Sequence, residues 1–69
     1  MNGTVKWFNN DKGYGFINSD GLEDIFVHYS HINKDGYKTL SEGDKVSFTL
    51  IHTIKGLQAI DVTNNLVIS

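Results

Sequence analysis

Apolar and polar residues alternate in short runs along this chain, with the period of β-strands rather than of helices. The clearest run is Lys12–Ile17, where two rings alternate with a glycine and an aliphatic residue. Because successive side chains of a strand point to opposite faces, Tyr14 and Phe16 share one face. Gly15 and Ile17 share the other face. This run therefore predicts a strand with one aromatic side and one aliphatic side.

A second run, Ile25–Tyr29, repeats the arrangement. Phe26 and His28 occupy one face of the predicted strand, while Ile25 and Val27 occupy the other. If the two strands pair, aliphatic side chains form one side of the pair and flat rings form the other. A core needs the aliphatic side, but folding does not require the rings to line up outside. We interpret the ring side as a stacking surface for unpaired nucleobases, each of which has a π-face.

The same alternation predicts further strands and little helix. The predicted strands are Gly3–Asn9, Tyr14–Asn18, Asp24–His28, a fourth that contains Val46, Phe48 and Leu50, and a fifth over Gln58–Val67. The segment Ser30–Lys45 is too polar for a long helix, and we expect at most a short 3-10 turn near Ser30–Ile32.

Five short strands in a chain without cysteine leave sticky edges unless the sheet closes on itself. We therefore predict an all-β fold, a five-stranded antiparallel closed barrel. Its predicted core consists of Val5, Ile17, Ile25, Val27, Val46, Phe48 and either Ile60 or Val62.

The length of 69 residues allows a single domain, 1–69, with modest stability, because so small a chain buries only about 60% of its unfolded surface. The absence of cysteine fits a reducing compartment. No apolar run approaches the ~20 residues of a membrane span. These features predict a soluble cytoplasmic protein that does not bind membranes.

The charge balance is unusual for a nucleic-acid-binding protein. Six lysines and eight acids give a net charge of −2, whereas a basic domain is the usual electrostatic signature. Lys6 and Lys12 bracket the first ring run, and Lys38 and Lys55 lie in segments that could border the same face. A locally positive groove that neutralises ~2–4 phosphates would give a slope of only about −1.5 to −3 in log K against log salt.

Several blocks of the sequence closely resemble the bacterial cold-shock proteins. Lys12–Ile17 and Ile25–Tyr29 match the two ribonucleoprotein motifs of that family. Around them stand Val5–Asn9, Gly36–Leu40, Glu42–Asp44, Val46–Phe48, Lys55–Gly56 and Gln58–Ala59, in the order and spacing of the family. The resemblance covers Gly3–Asn64.

This resemblance implies a single cold-shock domain with the oligonucleotide-binding barrel fold. It further implies binding of single-stranded RNA and DNA, with a preference for pyrimidines, and a nucleic-acid chaperone role in a monomer that needs no cofactor. By position, the stacking residues would be Trp7, Phe16, Phe26, His28 and Tyr37, flanked by Phe8, Tyr14 and Tyr29. Lys6, Lys12 and Lys55 would meet the backbone or base edges, and Asp24 and Gln58 would hydrogen-bond to bases. Lys38, in a segment that could border the same face, is a further candidate contact.

The departures from the family pattern are modest. Tyrosine stands at 14, 29 and 37 where phenylalanine is common, which adds a hydroxyl without impairing stacking. Leu57 replaces a frequent proline in the last loop, and His31 takes a position often held by a small residue. Lysine at position 55 stands where arginine is also found.

The residues leave four other interpretations to consider. Small barrels also use aromatic residues in their cores, and the rings could pack there. An RNA recognition motif domain needs two helices and the reverse order of its motifs, neither of which this sequence offers. A barrel could bind a protein or oligosaccharide partner through the same aromatic face. An enzyme is disfavoured because the sequence contains no nucleophile with its base and no P-loop, and the histidines lack the spacing of a zinc site.

Overall fold

The computed structural model describes residues 1–33 and 40–64, with Glu23 described by its backbone alone. In this part of the chain, five strands form one closed barrel in the order β1-β2-β3-β5-β4. The strands are β1 (Asn2–Asn9), β2 (Tyr14–Ser19), β3 (Leu22–His28), β4 (Lys45–Thr53) and β5 (Gly56–Asn64). A 3-10 turn, η1, spans Tyr29–His31. The predicted all-β closed barrel is confirmed.

Alternation along β2 and β3 separates an inner from an outer face, as the sequence predicts. Ile17 and Ile25 lie opposite each other across the two strands and have no solvent exposure. Their neighbours Phe16 and Phe26, which are also opposite each other, stay partly exposed on the outer side. The aliphatic side of this strand pair is therefore the core side.

The core also contains residues of β1, β4 and β5 and of the connection between β3 and β4. The six residues predicted for the core without an alternative are all buried. Of the two alternatives on β5, Val62 is buried and Ile60 is half-buried. Ile32, Leu40 and Ala59 complete the core and were not predicted. Ile32 and Leu40 lie in the polar connection between β3 and β4, where no alternation marks them.

The barrel closes through a parallel pair. β3 and β5 run parallel, with Phe26 opposite Gln58 and Val27 opposite Ala59, whereas the other four ladders are antiparallel. The parallel contact continues in a bridge between Ile32 and Val62. A parallel pair requires a long crossover, which η1, the following connection and β4 provide. The prediction of antiparallel pairing is therefore right for every ladder except this one.

The turn between β1 and β2 is organised by a single side chain. The Asn9 Oδ1 atom accepts backbone hydrogen bonds from Asp11 at 3.0 Å and Lys12 at 2.9 Å. Gly13 follows with a φ of 76°, and its N–H donates to the Asn9 carbonyl oxygen at 2.8 Å. Glycine adopts this left-handed conformation without steric cost. This turn sets the register of the two strands that carry most of the rings.

The ends of the elements differ from prediction by small amounts. β1, β3 and β5 begin one or two residues earlier than expected, and the 3-10 turn begins one residue earlier, at Tyr29. β5 is described as far as Asn64, so the predicted extension of the fifth strand to Val67 lies outside the described residues.

Candidate nucleic-acid interface

Four aromatic side chains meet on the outer face of β1, β2 and β3. We call Trp7, Tyr14, Phe16 and Phe26 the ring cluster. Phe16 lies at its centre, opposite Trp7 on one side and Phe26 on the other. Its ring centroid is 5.5 Å from that of Trp7 and 5.9 Å from that of Phe26. Tyr14 contacts all three other rings, at centroid distances of 5.6, 6.4 and 5.9 Å.

The rings of the cluster hold one another mainly by edge-to-face contacts. The interplanar angle is 61° between Trp7 and Phe16 and 68° between Phe16 and Phe26, while Tyr14 and Phe26 are closer to parallel at 30°. Edge-to-face contacts suit the quadrupoles of the rings and fix their orientation without covering both faces of each ring. Trp7 is 37% exposed, and the other three rings are half-buried. The cluster is therefore ordered in advance and still accessible to flat ligands.

His28 and Tyr29 extend the aromatic surface beyond the cluster. His28 lies opposite Tyr14 in the β2–β3 ladder, and its ring centroid is 4.6 Å from that of Tyr29. The His28 Nδ1 atom accepts a hydrogen bond from the Ser30 backbone N–H at 3.3 Å. The same Nδ1 atom lies 2.9 Å from the Ser30 hydroxyl oxygen, so both contacts tie the imidazole ring to the start of η1.

Tyr29 rests directly on Gly13. A Cβ atom at Gly13 would lie 2.5 Å from the Tyr29 Cδ1 atom, and the Tyr29 N–H donates to the Gly13 carbonyl oxygen at 2.8 Å. Tyr29 nevertheless remains 47% exposed. The absence of a side chain at Gly13 thus makes room for an aromatic residue of the protein itself.

A groove of about 480 Å³ runs beside the ring cluster. One wall contains Phe16, Phe26 and Asp24, and the other is the tip of the β4–β5 hairpin. The hairpin contributes Thr53, Lys55, Gly56, Leu57 and Gln58. The groove therefore combines two aromatic rings on one wall with a cation, a carboxylate and an amide, which are groups that can meet a phosphate and the polar edge of a base.

The hairpin tip is held by the hydroxyl group of Thr53. This hydroxyl donates to the Gly56 carbonyl oxygen at 2.9 Å and accepts from the Lys55 backbone N–H at 3.1 Å. Gly56 has a φ of 124°, which only glycine adopts readily. Lys55 is consequently presented at the groove from a defined turn rather than from an irregular loop.

Lys6 and Asp24 form an ion pair at the edge of this surface. The Lys6 Nζ atom lies 3.1 Å from the Asp24 Oδ1 atom, and the two side chains are 48% and 62% exposed. Asp24 also has a φ of 56°, an uncommon conformation outside glycine. The sequence predicted both residues as ligand contacts but did not indicate that they contact each other.

The other predicted site residues occupy different positions. Phe8 follows Trp7 on β1, lies outside the ring cluster and packs, partly buried, against the core, so its role as a flanking contact stays a prediction. Lys12 is exposed in the β1–β2 turn. Tyr37 and Lys38 lie outside the described residues, and their roles stay predictions.

The groove also contains residues that the sequence did not single out as contacts. Thr53, Gly56 and Leu57 line it because β4 and β5 form the hairpin and the parallel pairing of β5 with β3 places its tip beside β3. The glycine after Lys55 and the loop position of Leu57 mark a turn in the sequence, but neither indicates what the turn approaches.

Within residues 1–33 and 40–64, no group of three His, Asp or Glu side chains is arranged to hold a metal ion. In the same part of the chain, no helix is long and apolar enough to cross a membrane.

A closed five-stranded barrel with outward-facing rings on β1 to β3 defines a nucleic-acid-binding protein of the oligonucleotide-binding barrel type. Residues 1–65 match the family model described as the 'Cold-shock' DNA-binding domain. The chain belongs to the cold-shock domain family, whose members bind single-stranded nucleic acids and are not enzymes.

Curated relatives agree over nearly the whole chain. The chain is 58% identical over 62 residues to the cold shock-like protein CspB of Bacillus cereus, a match that covers 90% of this chain and 95% of that protein. It is 54% identical to the cold shock protein CspD of Bacillus subtilis, covering 90% and 94% of the two chains. It is 55% identical to the cold shock protein CspA of Staphylococcus aureus, covering 87% and 91%.

A solved structure shares the fold. The match is to Drosophila Unr CSD456, with a TM-score of 0.74 and 25% sequence identity over 91% of this chain. The present chain spans 25% of the length of that one.

Proposed function

We propose that this protein binds single-stranded RNA and DNA by stacking bases on the ring cluster, and that it acts as an ATP-independent nucleic-acid chaperone. The observation that carries the proposal is the set of mutually braced, outward-facing rings on β1, β2 and β3. In this proposal His28, Tyr29 and Tyr37 extend the stacking surface. Lys6, Lys12, Lys38 and Lys55 meet the backbone, and Asp24 and Gln58 meet base edges.

Stacking energies are large enough to account for binding. Each base stacked on an aromatic side chain contributes ~1–3 kcal/mol, so three or four stacks give ~4–10 kcal/mol before the cost of ordering the strand. Stacking alone therefore corresponds to dissociation constants from about millimolar to about 50 nanomolar before that cost, and the phosphate contacts add to it. Duplexes are disfavoured, because paired bases already stack on one another and extruding one costs a few kcal/mol.

The chaperone activity follows from mass action. A protein that binds only the open strand shifts the hairpin equilibrium towards open RNA without any energy source. A preference for pyrimidine-rich strands completes the proposal, since stacking strength and backbone flexibility produce such preferences without base-specific hydrogen bonds. We place this activity in the cytoplasm, in a monomer, where it can modulate transcription or translation.

A hairpin-opening experiment tests the chaperone proposal. We expect the protein to raise the fluorescence of an RNA hairpin that carries a fluorophore and a quencher at its ends, in proportion to the protein concentration and without ATP. The oligonucleotide of the loop alone, added in excess, should reverse the effect by competing for the ring cluster. A protein that binds the loop oligonucleotide and yet leaves the hairpin closed at saturation would contradict the chaperone role.

Trp7 provides a test of the stacking mode against a protein or oligosaccharide ligand. Because Trp7 is 37% exposed within the ring cluster, we expect oligothymidine to quench its fluorescence strongly. The same bases in a duplex should have much less effect, and oligoadenine should bind more weakly than oligothymidine. Quenching by neutral oligosaccharides, together with no response to oligothymidine, would favour the alternative ligand class.

A further inference from the structure

Two β-bulges bring Lys6 and Asp24 together across β2. In β1 an extra residue lies between Val5 and Trp7 relative to β2, and this residue is Lys6. In β3 an extra residue lies between Leu22 and Ile25 relative to the other edge of β2, in the segment that contains Asp24. Bulges re-aim the side chains they carry. Here they turn the Lys6 ammonium group on β1 and the Asp24 carboxylate on β3 towards each other.

The resulting ion pair is formed but exposed to solvent, so little free energy is needed to open it. The distance of 3.1 Å between Nζ and Oδ1 is that of a formed pair, but both side chains are about half exposed or more. Exposed pairs are weak, since water and salt screen them. Asp24 keeps its place at the cost of a left-handed backbone, with a φ of 56°. A strained backbone that maintains a weak exposed pair contributes little to stability, which points to a role in binding.

The position of the pair determines what competes for it. Asp24 lines the groove beside Phe16 and Phe26, so a strand stacked on those rings carries its phosphates close to Lys6. A phosphate oxygen and a carboxylate oxygen are the same kind of acceptor for an ammonium group. The phosphate and the Asp24 carboxylate therefore compete for the Lys6 ammonium group.

We propose that Asp24 is an internal competitor of the nucleic-acid backbone for Lys6, and that the ion pair opens when a strand binds. This inference rests on the proposed function. Lys6 then contributes less to affinity than a free lysine would, because part of the free energy of its phosphate contact offsets the loss of the ion pair with Asp24. Opening of the pair also releases the Asp24 carboxylate at the edge of the groove. The contact of Lys6 with a phosphate is therefore coupled to the binding of a base in the groove.

The test is the salt dependence of binding in Asp24→Asn. Salt weakens the Lys6–Asp24 pair of the free protein as well as the phosphate contact of the complex. Because these two effects partly cancel, log K of the wild type falls less steeply with log salt. Without the pair, we expect Asp24→Asn to bind oligothymidine of about seven nucleotides ~1.5- to 5-fold more tightly at low salt. The slope of log K against log salt should become steeper by up to ~0.7 unit.

Asp61→Asn is the matched control. Asp61 is also an exposed aspartate with a positive φ, of 51°, but it lies on β5. The two variants therefore make the same change in net charge and replace aspartate by asparagine in the same backbone conformation. We expect Asp61→Asn to keep the wild-type slope.

A double-mutant comparison tests the competition directly. Lys6→Gln should weaken binding by a larger factor in the Asp24→Asn background than in the wild type, because only there is Lys6 free before the strand arrives. Equal factors in the two backgrounds, or weaker binding of Asp24→Asn with an unchanged slope, would show that Asp24 contacts the ligand without competing for Lys6. A wild-type protein that does not bind oligothymidine at low salt would overturn the proposed function and this inference together, whereas the other outcomes leave base stacking intact.

Discussion

Phe16→Ala and Phe26→Ala are each expected to weaken binding of oligothymidine by ~1–3 kcal/mol, that is, about 5- to 150-fold. Phe16 has the larger expected effect because it lies between Trp7 and Phe26 and lines the groove. Its removal deletes one stacking partner and also releases the edge-to-face contacts that orient its neighbours. Titration of each variant, monitored by Trp7 fluorescence or by calorimetry, measures the loss.

Two further variants separate stacking from folding. Ile17→Val changes the next residue of β2, whose side chain is fully buried on the inner face, and should cost ~0.5–1.5 kcal/mol of stability with no change in affinity per folded molecule. Phe16→Leu keeps apolar bulk but lacks a flat ring, so it should lose most of the affinity that Phe16→Ala loses. If Phe16→Ala unfolds the barrel and the remaining folded molecules bind normally, Phe16 is a packing residue.

Gly15→Ala is expected to destabilise the barrel by about 3 kcal/mol or more, at the upper end of the cost of overpacking. A Cβ atom at Gly15 would meet the Trp7 carbonyl oxygen, and it would lie 2.7 Å from the Phe8 Cα atom. Both are backbone atoms of the neighbouring strand, which cannot rotate away as a side chain can. Because a domain of this size has only about 3–5 kcal/mol of stability, much of the population should unfold.

Gly21→Ala is the control for this prediction. Gly21 also lies in the β2–β3 region and has a φ of 78°, but no atom lies within 4 Å of the Cβ position. Its substitution should therefore cost only backbone strain, about 1–2 kcal/mol. Thermal or denaturant unfolding monitored by circular dichroism measures both variants. If Gly15→Ala is no less stable than Gly21→Ala, β1 and β2 can separate slightly without penalty.

The contrast between Gly15 and Phe16 shows how far sequence alone goes at this site. Alternation places Phe16 outside and Ile17 inside, because the two-residue period of a strand is a local property of the backbone. The reason for a glycine at position 15 is not local. It depends on how closely β1 approaches β2 at Trp7 and Phe8, which only the assembled sheet determines.

The groove illustrates the same limit. Phe26 and Gln58 are far apart in the sequence, and they become neighbours only because β3 and β5 pair in parallel. Nothing in either strand by itself specifies that partner or that direction. The hairpin tip with Thr53, Lys55 and Leu57 thereby becomes the second wall of the site.

The sequence by itself determined the approximate positions of the strands, the buried side of β2 and β3, and the rings that share the other side of these two strands, because side-chain alternation and turn chemistry act over a few neighbouring residues. Only the tertiary structure decided the parallel closure of the barrel, the packing of Phe8 against the core and the ion pair between Lys6 and Asp24. These features arise from strand register and from bulges, each of which shifts a side chain by a single residue relative to its partner strand. Such shifts depend on the packing of the whole barrel, and no short stretch of the chain encodes them.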